Sequence, residues 1–252
     1  MKNSAIISIQ KATVEISGKQ LLNDLSVEIL PGELVAVVGP NGAGKSSLMK
    51  ILTRILPVTS GTVEVLGRPV TPTLKRKEIR ELRSQVGQVF QGLHSVPRLT
   101  VLENVLIGRL SLNRSFKTWA RIFSDKDYKV ANLAMDRVGI SHKAEIRVDR
   151  LSGGERQKVA IARALAQETK LILADEPTSN LDPKASLEIA QLLRDLVKEK
   201  TITIVTVVHD LALLPVLGER VIGLRNGQLQ FDQMISQSNL KEIEKIYQPE
   251  AR

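Results

Sequence analysis

Over the first 38 residues, short β-branched apolar runs alternate with turn signals: IISIQKATVEI, then SGK, then LSVEI, then LPGE, then the unbroken apolar run LVAVV. Such runs, bounded by glycine and proline, read as strands. From Lys45 the period changes to a helical one, with Leu48, Leu52 and Ile55 on one face, until Pro57 and TSG end it. GTVEVLG and QVGQVF (85–90) return to strand. Residues 92–158 differ: they are richer in basic residues, carry the helical patterns TVLENVLIGRL and DYKVANLAMDRVGI, and offer few strands. They predict a helical subdomain inserted between two parts of a core, 1–91 and 159–252. After it come the strand LILADE, the amphipathic helix KASLEIAQLLRDLVKEK with Ile189, Leu193, Leu196 and Val197 facing inward, the strand TITIVTVV and the segment ERVIGLRNGQLQF. This alternation implies an α/β core whose mainly parallel sheet is covered by helices on both faces.

Composition narrows the classes. With 252 residues and 42% hydrophobic side chains, the chain can bury a sizeable core. It has no cysteine, which excludes a disulfide framework and thiolate metal sites and suits a reducing compartment. MKNSAIISIQ lacks the apolar stretch of a signal peptide, and the longest apolar run, around Ile202 to Val208, is far short of a membrane span. A formal net charge of +9 fits nucleic acid, an anionic membrane surface or phosphate-bearing ligands. Seven aromatic residues, none in a basic interleaved array, speak against stacking of single-stranded bases.

Chemistry concentrates in a few motifs. GPNGAGKSS (Gly39, Pro40, Asn41, Gly42, Ala43, Gly44, Lys45, Ser46, Ser47) satisfies G-x-x-x-x-G-K-[ST] between an apolar strand and a helix. Glycines there let backbone N–H groups converge on phosphate oxygens, and the helix dipole adds to their pull. Lys45 is placed for the β- and γ-phosphates and the Ser46 hydroxyl for Mg²⁺. LILADE ends a strand in two carboxylates, Asp175 for Mg²⁺ and Glu176 to polarise a water; without an upstream phosphate loop such a pair would as readily be a helix cap. Gln91 and His209 each follow a predicted strand, where ligands sit in parallel-sheet folds, so Gln91 can sense Mg²⁺ and water and His209 the γ-phosphate. His94 and His142 have no such placement and read as surface residues.

LSGGERQ (151–157) is harder. A capping box accounts for Ser152 and Glu155, but not for Gly153 and Gly154, because each glycine in a helix costs about 1 kcal/mol against alanine. Bare amides at a helix start suit an approaching phosphate, and the missing lysine suits a site completed by a second molecule that brings its own Lys45-bound ATP.

Taken in order, GPNGAGKS, Gln91, LSGGERQ, LILADE, SNLD (179–182) and His209 resemble the Walker A, Q-loop, signature, Walker B, D-loop and switch histidine of the ATP-binding cassette family, across nearly the whole chain. The resemblance implies a P-loop NTPase core of RecA type, an amino-terminal antiparallel β-subdomain and a helical signature subdomain. It also implies ATP and Mg²⁺ as ligands and a homodimer sandwiching two ATP molecules head to tail. The expected partners are integral-membrane permease subunits and, indirectly, a substrate-binding protein, with the chain peripheral on the cytoplasmic membrane face. VPRLTVLENVLIGRL followed by RSFKTWARIFSDKD is similar to ATPase subunits of bacterial phosphonate importers. Two other functions compete: a cassette ATPase acting on nucleic acid or ribosomes, and a regulatory module that binds ATP without turnover. The single cassette with a short insert argues against the first, and the presence of Glu176, Gln91 and His209 against the second; no nucleic-acid partner is expected.

Ile16 stands where the family usually has an aromatic residue that stacks on adenine, 29 residues before Lys45 (45 minus 16), and no aromatic residue precedes Phe90. An aliphatic side chain recovers only part of a stacking energy of roughly 1–3 kcal/mol. Nucleotide affinity carried mostly by phosphate contacts, with little ATP over GTP preference, is the expected result. Ile16→Tyr should tighten ATP binding by about 0.5–1.5 kcal/mol. Dissociation constants of ATP and GTP for both proteins check this, and an unchanged ATP affinity would mean that Ile16 does not face the base or that a ring from elsewhere already does.

Overall fold

The structure is a computed structural model describing residues 4–90, 95–111, 123–235 and 240–248. Strands β1 (Ile7–Ile16), β2 (Lys19–Ile29), β4 (Ser60–Val65) and β5 (Arg68–Pro69) form an antiparallel sheet in the order β2-β1-β4-β5. The second sheet contains β3 (Leu34–Val38), β6 (Val86–Val89), β7 (Leu171–Asp175), β8 (Thr203–Val207), β9 (Arg220–Arg225) and β10 (Gln228–Met234), in the order β10-β9-β3-β8-β7-β6. Its neighbours are parallel except β10 and β9. The expected mainly parallel core and antiparallel β-subdomain are both present, with β3 of the core lying in the chain between β2 and β4 of the antiparallel sheet.

Unbroken apolar runs such as LVAVV are what a strand covered on both faces requires. Leu34, Ala36 and Val38 point into a core shared with the helices α5 (Gly153–Leu165) and α6 (Pro183–Lys198), while Val35 and Val37 point into a second core shared with the antiparallel sheet and α1 (Lys45–Leu52). Ile189, Leu193, Leu196 and Val197 are buried on α6 as the periodicity predicts. Ile55 is a correction: α1 ends at Leu52, Arg54 takes a left-handed φ of 55°, and Ile55 is 46% exposed. Helix α2 (Arg76–Gln85) escapes the hydrophobic pattern because it buries only Leu82.

Between 95 and 150 the described residues hold α3 (Val101–Leu106), α4 (Asp125–Arg137) and short 3-10 turns, with one isolated bridge from Thr100 to Arg147. Thr100 and Ser124 open the two helices with capping boxes. A buried guanidinium ties this region to the core. Arg109 Nε donates to Asp127 Oδ1 at 3.0 Å, and its Nη1 reaches the Ala166 carbonyl just after α5 and Glu168 Oε2, both at 2.7 Å. Charges this far from water are tolerated only while paired. Asp127→Ala is therefore expected to cost about 2–4 kcal/mol, since it removes the buried partner of Arg109 Nε, leaving Glu168 as the guanidinium's remaining carboxylate, and also removes a helix cap. Urea unfolding checks this, and Asp127→Leu combined with Arg109→Met should recover most of the loss.

Candidate functional site

Strand β3 delivers the chain to Gly39, and the following loop is possible only with glycine at its corners. Gly39, Gly42 and Gly44 have φ of 147°, 80° and 104°. A Cβ on Gly39 would lie 2.1 Å from the Leu224 carbonyl oxygen on β9, and one on Gly44 would lie 2.9 Å from that of Leu21 on β2. The loop closes on itself through Ala43 N–H to the Pro40 carbonyl, 3.1 Å, and is braced from outside by the β9–β10 turn, where Gly227 N–H donates to the Ala43 carbonyl at 3.0 Å. Asn226 and Gly227, both at positive φ, make that turn. Gly44 then opens α1, whose amino end faces a cavity of about 200 Å³ lined by Asn41 to Ser47, Lys19, Gln20, Leu21, Glu176 and His209. Backbone amides and a helix amino terminus around such a space form an anion cradle.

Lys45 is buried in the floor of this cavity. Its Nζ donates to the carbonyls of Gly39, 2.6 Å, and Pro40, 3.0 Å. Burial lowers its pKa, opposed by the nearby Glu176 and Asp175 carboxylates. The parallel register that sets Asp175 beside Val207 brings the end of β7 next to His209, two residues past β8. His209 Nε2 lies 2.7 Å from Glu176 Oε1, and Glu176 has a left-handed φ of 51°. Asp175 is the strained charge of the site: its Oδ1 is buried without a hydrogen-bond partner. Burial raises its pKa first and Glu176 adds to the rise, while Lys50, Lys45 and His209 oppose it.

The region of LSGGERQ is built as the capping box predicts. Ser152 N–H donates to Glu155 Oε2, 3.0 Å, and Glu155 N–H to Ser152 Oγ, 3.3 Å. Lys143 also pairs with Glu155 and, through that bond, holds its carboxyl below the usual range. Gly153 and Gly154 have a packing reason that sequence reading did not supply: Cβ atoms there would lie 2.9 Å from Leu181 Cδ2 and 3.1 Å from Ala185 Cβ. None of Ser152, Gly153, Gly154 or Glu155 lines the cavity beside Lys45.

Ile16 lies 43% exposed at the end of β1, paired with Lys19, while the cavity rim on that side is Lys19, Gln20 and Leu21. His142 is exposed. Gln91 and His94 lie outside the described residues. Tyr247 went unnoticed in the sequence: its Oη accepts a 3.0 Å hydrogen bond from Gly39 N–H, although 208 residues separate the two. No local signal marks it. Gly227, by contrast, could have been found from the Asn-Gly pair between two apolar runs.

Residues 22–179, more than half of the chain, match the family described as ABC transporter. The protein named Phosphonates import ATP-binding protein PhnC 1 of Ruegeria sp. (strain TM1040) is 41% identical over 231 residues, covering 92% of this chain and 90% of that protein. Phosphonates import ATP-binding protein PhnC 2 of Trichodesmium erythraeum (strain IMS101) is 41% identical over 249 residues, covering 97% and 94%. Among solved structures, cbiO1 from Clostridium perfringens, described as part of the ABC transporter complex cbiONQ, superposes with a TM-score of 0.82 at 30% identity, covering 96% of this chain and 91% of that one. The ATP-binding cassette MJ0796, in a dimeric post-hydrolysis state bound to ADP and Pi, gives a TM-score of 0.77 at 32% identity, covering 91% and 99%.

The strained Asp175 generates a test. A carboxyl whose folded pKa is raised is costly when ionised, so its penalty sets in as the pH rises through the unfolded pKa and is complete only above the folded one. Asp175→Asn should raise the melting temperature of the nucleotide-free protein at pH 7 by about 2–4 °C, the equivalent of ~1 kcal/mol in a domain of this size. The gain should shrink as the pH falls through the acid range. A lowered melting temperature at pH 7 would show that the carboxylate is not the strained species.

Proposed function

The chain belongs to the ABC transporter family and is an ATP-hydrolysing cassette, and from that premise we propose that it powers a membrane importer for a phosphonate or a related phosphorus oxyanion. The observation that carries the hydrolytic part is the pair formed by Glu176 and His209, 2.7 Å apart at the mouth of a cavity floored by Lys45. The cargo rests on the relatives, which are named for phosphonate import at about two-fifths identity over nearly the whole chain.

In this reading the backbone N–H groups of the loop from Gly39 to Ser47 cradle the ATP phosphates. Lys45 releases the Gly39 and Pro40 carbonyls and turns to the β- and γ-phosphates. The orphaned Asp175 oxygen fits a divalent cation, which the Ser46 hydroxyl and Gln91 would help to hold. When bound, Mg²⁺ supplies charge neutralisation between the phosphates. Glu176 accepts a hydrogen bond from the attacking water, and His209 fixes the carboxylate while facing the γ-phosphate. Ile16 covers part of the adenine. Water attacks the γ-phosphorus, the β–γ bridge breaks, and ADP and phosphate leave.

Ser152, Gly153, Gly154 and Glu155 serve a second copy of the chain, closing head to tail over its Lys45-bound ATP. The helical subdomain, taken as 92–158, and the segment at Gln91 face integral-membrane permease subunits, and a substrate-binding protein acts indirectly through them. Among the described residues no helix is long and apolar enough to cross a membrane, which suits a subunit attached peripherally to the cytoplasmic face.

Glu176→Gln decides between this reading and ATP binding without turnover. The amide keeps the shape of the side chain but loses the carboxylate's capacity to accept a proton, so hydrolysis should fall by about 10²–10⁴-fold with ATP binding retained. An ATP-bound dimer should accumulate, seen by light scattering. In vesicles containing the permease, phosphonate uptake should fall in parallel; wild-type hydrolysis by the variant would remove Glu176 from its role, and uptake indifferent to phosphonate would remove the cargo.

A further inference from the structure

The carboxy-terminal stretch enters none of the motifs above, yet it touches the phosphate loop. Helix α7 (Leu240–Glu244) and the 3-10 turn Lys245–Tyr247 pack through the buried Ile243 and Ile246. Arg225, at the end of β9, donates to the Gln248 carbonyl and pins the chain just after this turn. The half-buried Tyr247 is thereby carried to the start of the loop, where its Oη accepts the 3.0 Å hydrogen bond from Gly39 N–H.

Gly39 needs such a partner. It is the hinge between β3 and the loop, has no side chain to anchor it, and sits at φ 147° with the Leu224 carbonyl against its Cα. Its carbonyl is held by Lys45 Nζ at 2.6 Å. Lys45 thus holds the peptide after Gly39, and the N–H bond to Tyr247 fixes the plane of the peptide before it. Burial pushes the Tyr247 hydroxyl up, so it stays a neutral phenol at neutral pH with a lone pair for the amide. An aromatic side chain with few rotatable bonds is a stiff support.

We propose that Tyr247 is a positioning residue for ATP binding, its hydroxyl holding the Gly39 peptide so that the phosphate loop is preformed before nucleotide arrives. The proposal rests on the reading of residues 39–47 as the ATP-phosphate cradle. A preformed loop spares ATP the cost of ordering it, because apparent affinity falls with the fraction of competent protein. Once ATP is bound, the phosphates themselves order the loop, so the chemical step should be insensitive to Tyr247.

Tyr247→Phe in the full chain keeps the ring and its packing but leaves the Gly39 amide without its acceptor. The expected result is a dissociation constant for ATP raised about tenfold, with kcat at saturating ATP within about twofold of wild type. Amide exchange of Gly39, read by NMR on glycine-labelled protein without nucleotide, should quicken by about tenfold or more while Gly223 in β9 stays protected. Ile243→Val, which thins the same anchor without touching the hydroxyl, should leave ATP affinity unchanged. ATP affinity unaltered in Tyr247→Phe, or weakened equally in Ile243→Val, would overturn the proposal. Failure of the wild-type protein to bind ATP at all would instead overturn the cradle reading, and the Gly39 exchange measurement needs no nucleotide to tell the two failures apart.

Discussion

Everything at the site depends on backbone meeting backbone at distances that only glycine permits. Gly39 lies against the Leu224 carbonyl of β9, Gly44 against the Leu21 carbonyl of β2, and Gly227 against Leu21 and Leu22. The loop is thus wedged between two strands from different sheets and fastened through Gly227 to the Ala43 carbonyl. No side chain could provide a cradle this rigid and still leave the loop's own amides bare. The same approach joins the antiparallel sheet to the parallel core, so the contacts that shape the anion site also fix the two sheets to each other.

On that frame the charges are arranged without being neutralised. Lys45 rests on two backbone carbonyls, not on a carboxylate, so its hydrogen bonds are met while its charge is left without a counter-charge in contact. Asp175 and Glu176 are adjacent, and the first of them has a buried oxygen with no donor. A fold optimised for its empty state would pair Lys45 with Asp175 and bury both. Keeping them apart costs stability but leaves one cation for an anionic ligand and one acceptor for a second cation. That arrangement suits the metal-bound phosphate of the proposed function, and it fits the cassette reading on grounds independent of the motif spacing.

The chain discloses some of this directly and conceals the rest for physical reasons. Fully apolar strands such as LVAVV and the face of α6 announce themselves because burial on one or both sides leaves a local periodic trace. Helix α2 leaves none, since a helix that buries only Leu82 has no apolar stripe. Ile55 misled because Arg54 turns left-handed where the period alone continues the helix. The partners of the phosphate loop were hidden for a different reason. Leu224, Gly227 and Tyr247 lie about 180 to 210 residues further along the chain, and such contacts follow from the register of β3 on β9 and from the docking of α7, not from any local pattern.

Gly153 and Gly154 show how one feature can answer two demands. Their missing side chains let the start of α5 close on Leu181 and Ala185, so the packing reason is sufficient within a single chain. It does not displace the proposal that they receive a partner's phosphate, and the segment they touch leads back to Glu176. Ser179 binds the Glu176 carbonyl through both its amide, 3.1 Å, and its hydroxyl, 2.9 Å, and Asp182 caps α6 through Ala185 N–H. Seven residues, 176 to 182, therefore run from the carboxylate beside His209 to the cap of the helix packed on Gly154.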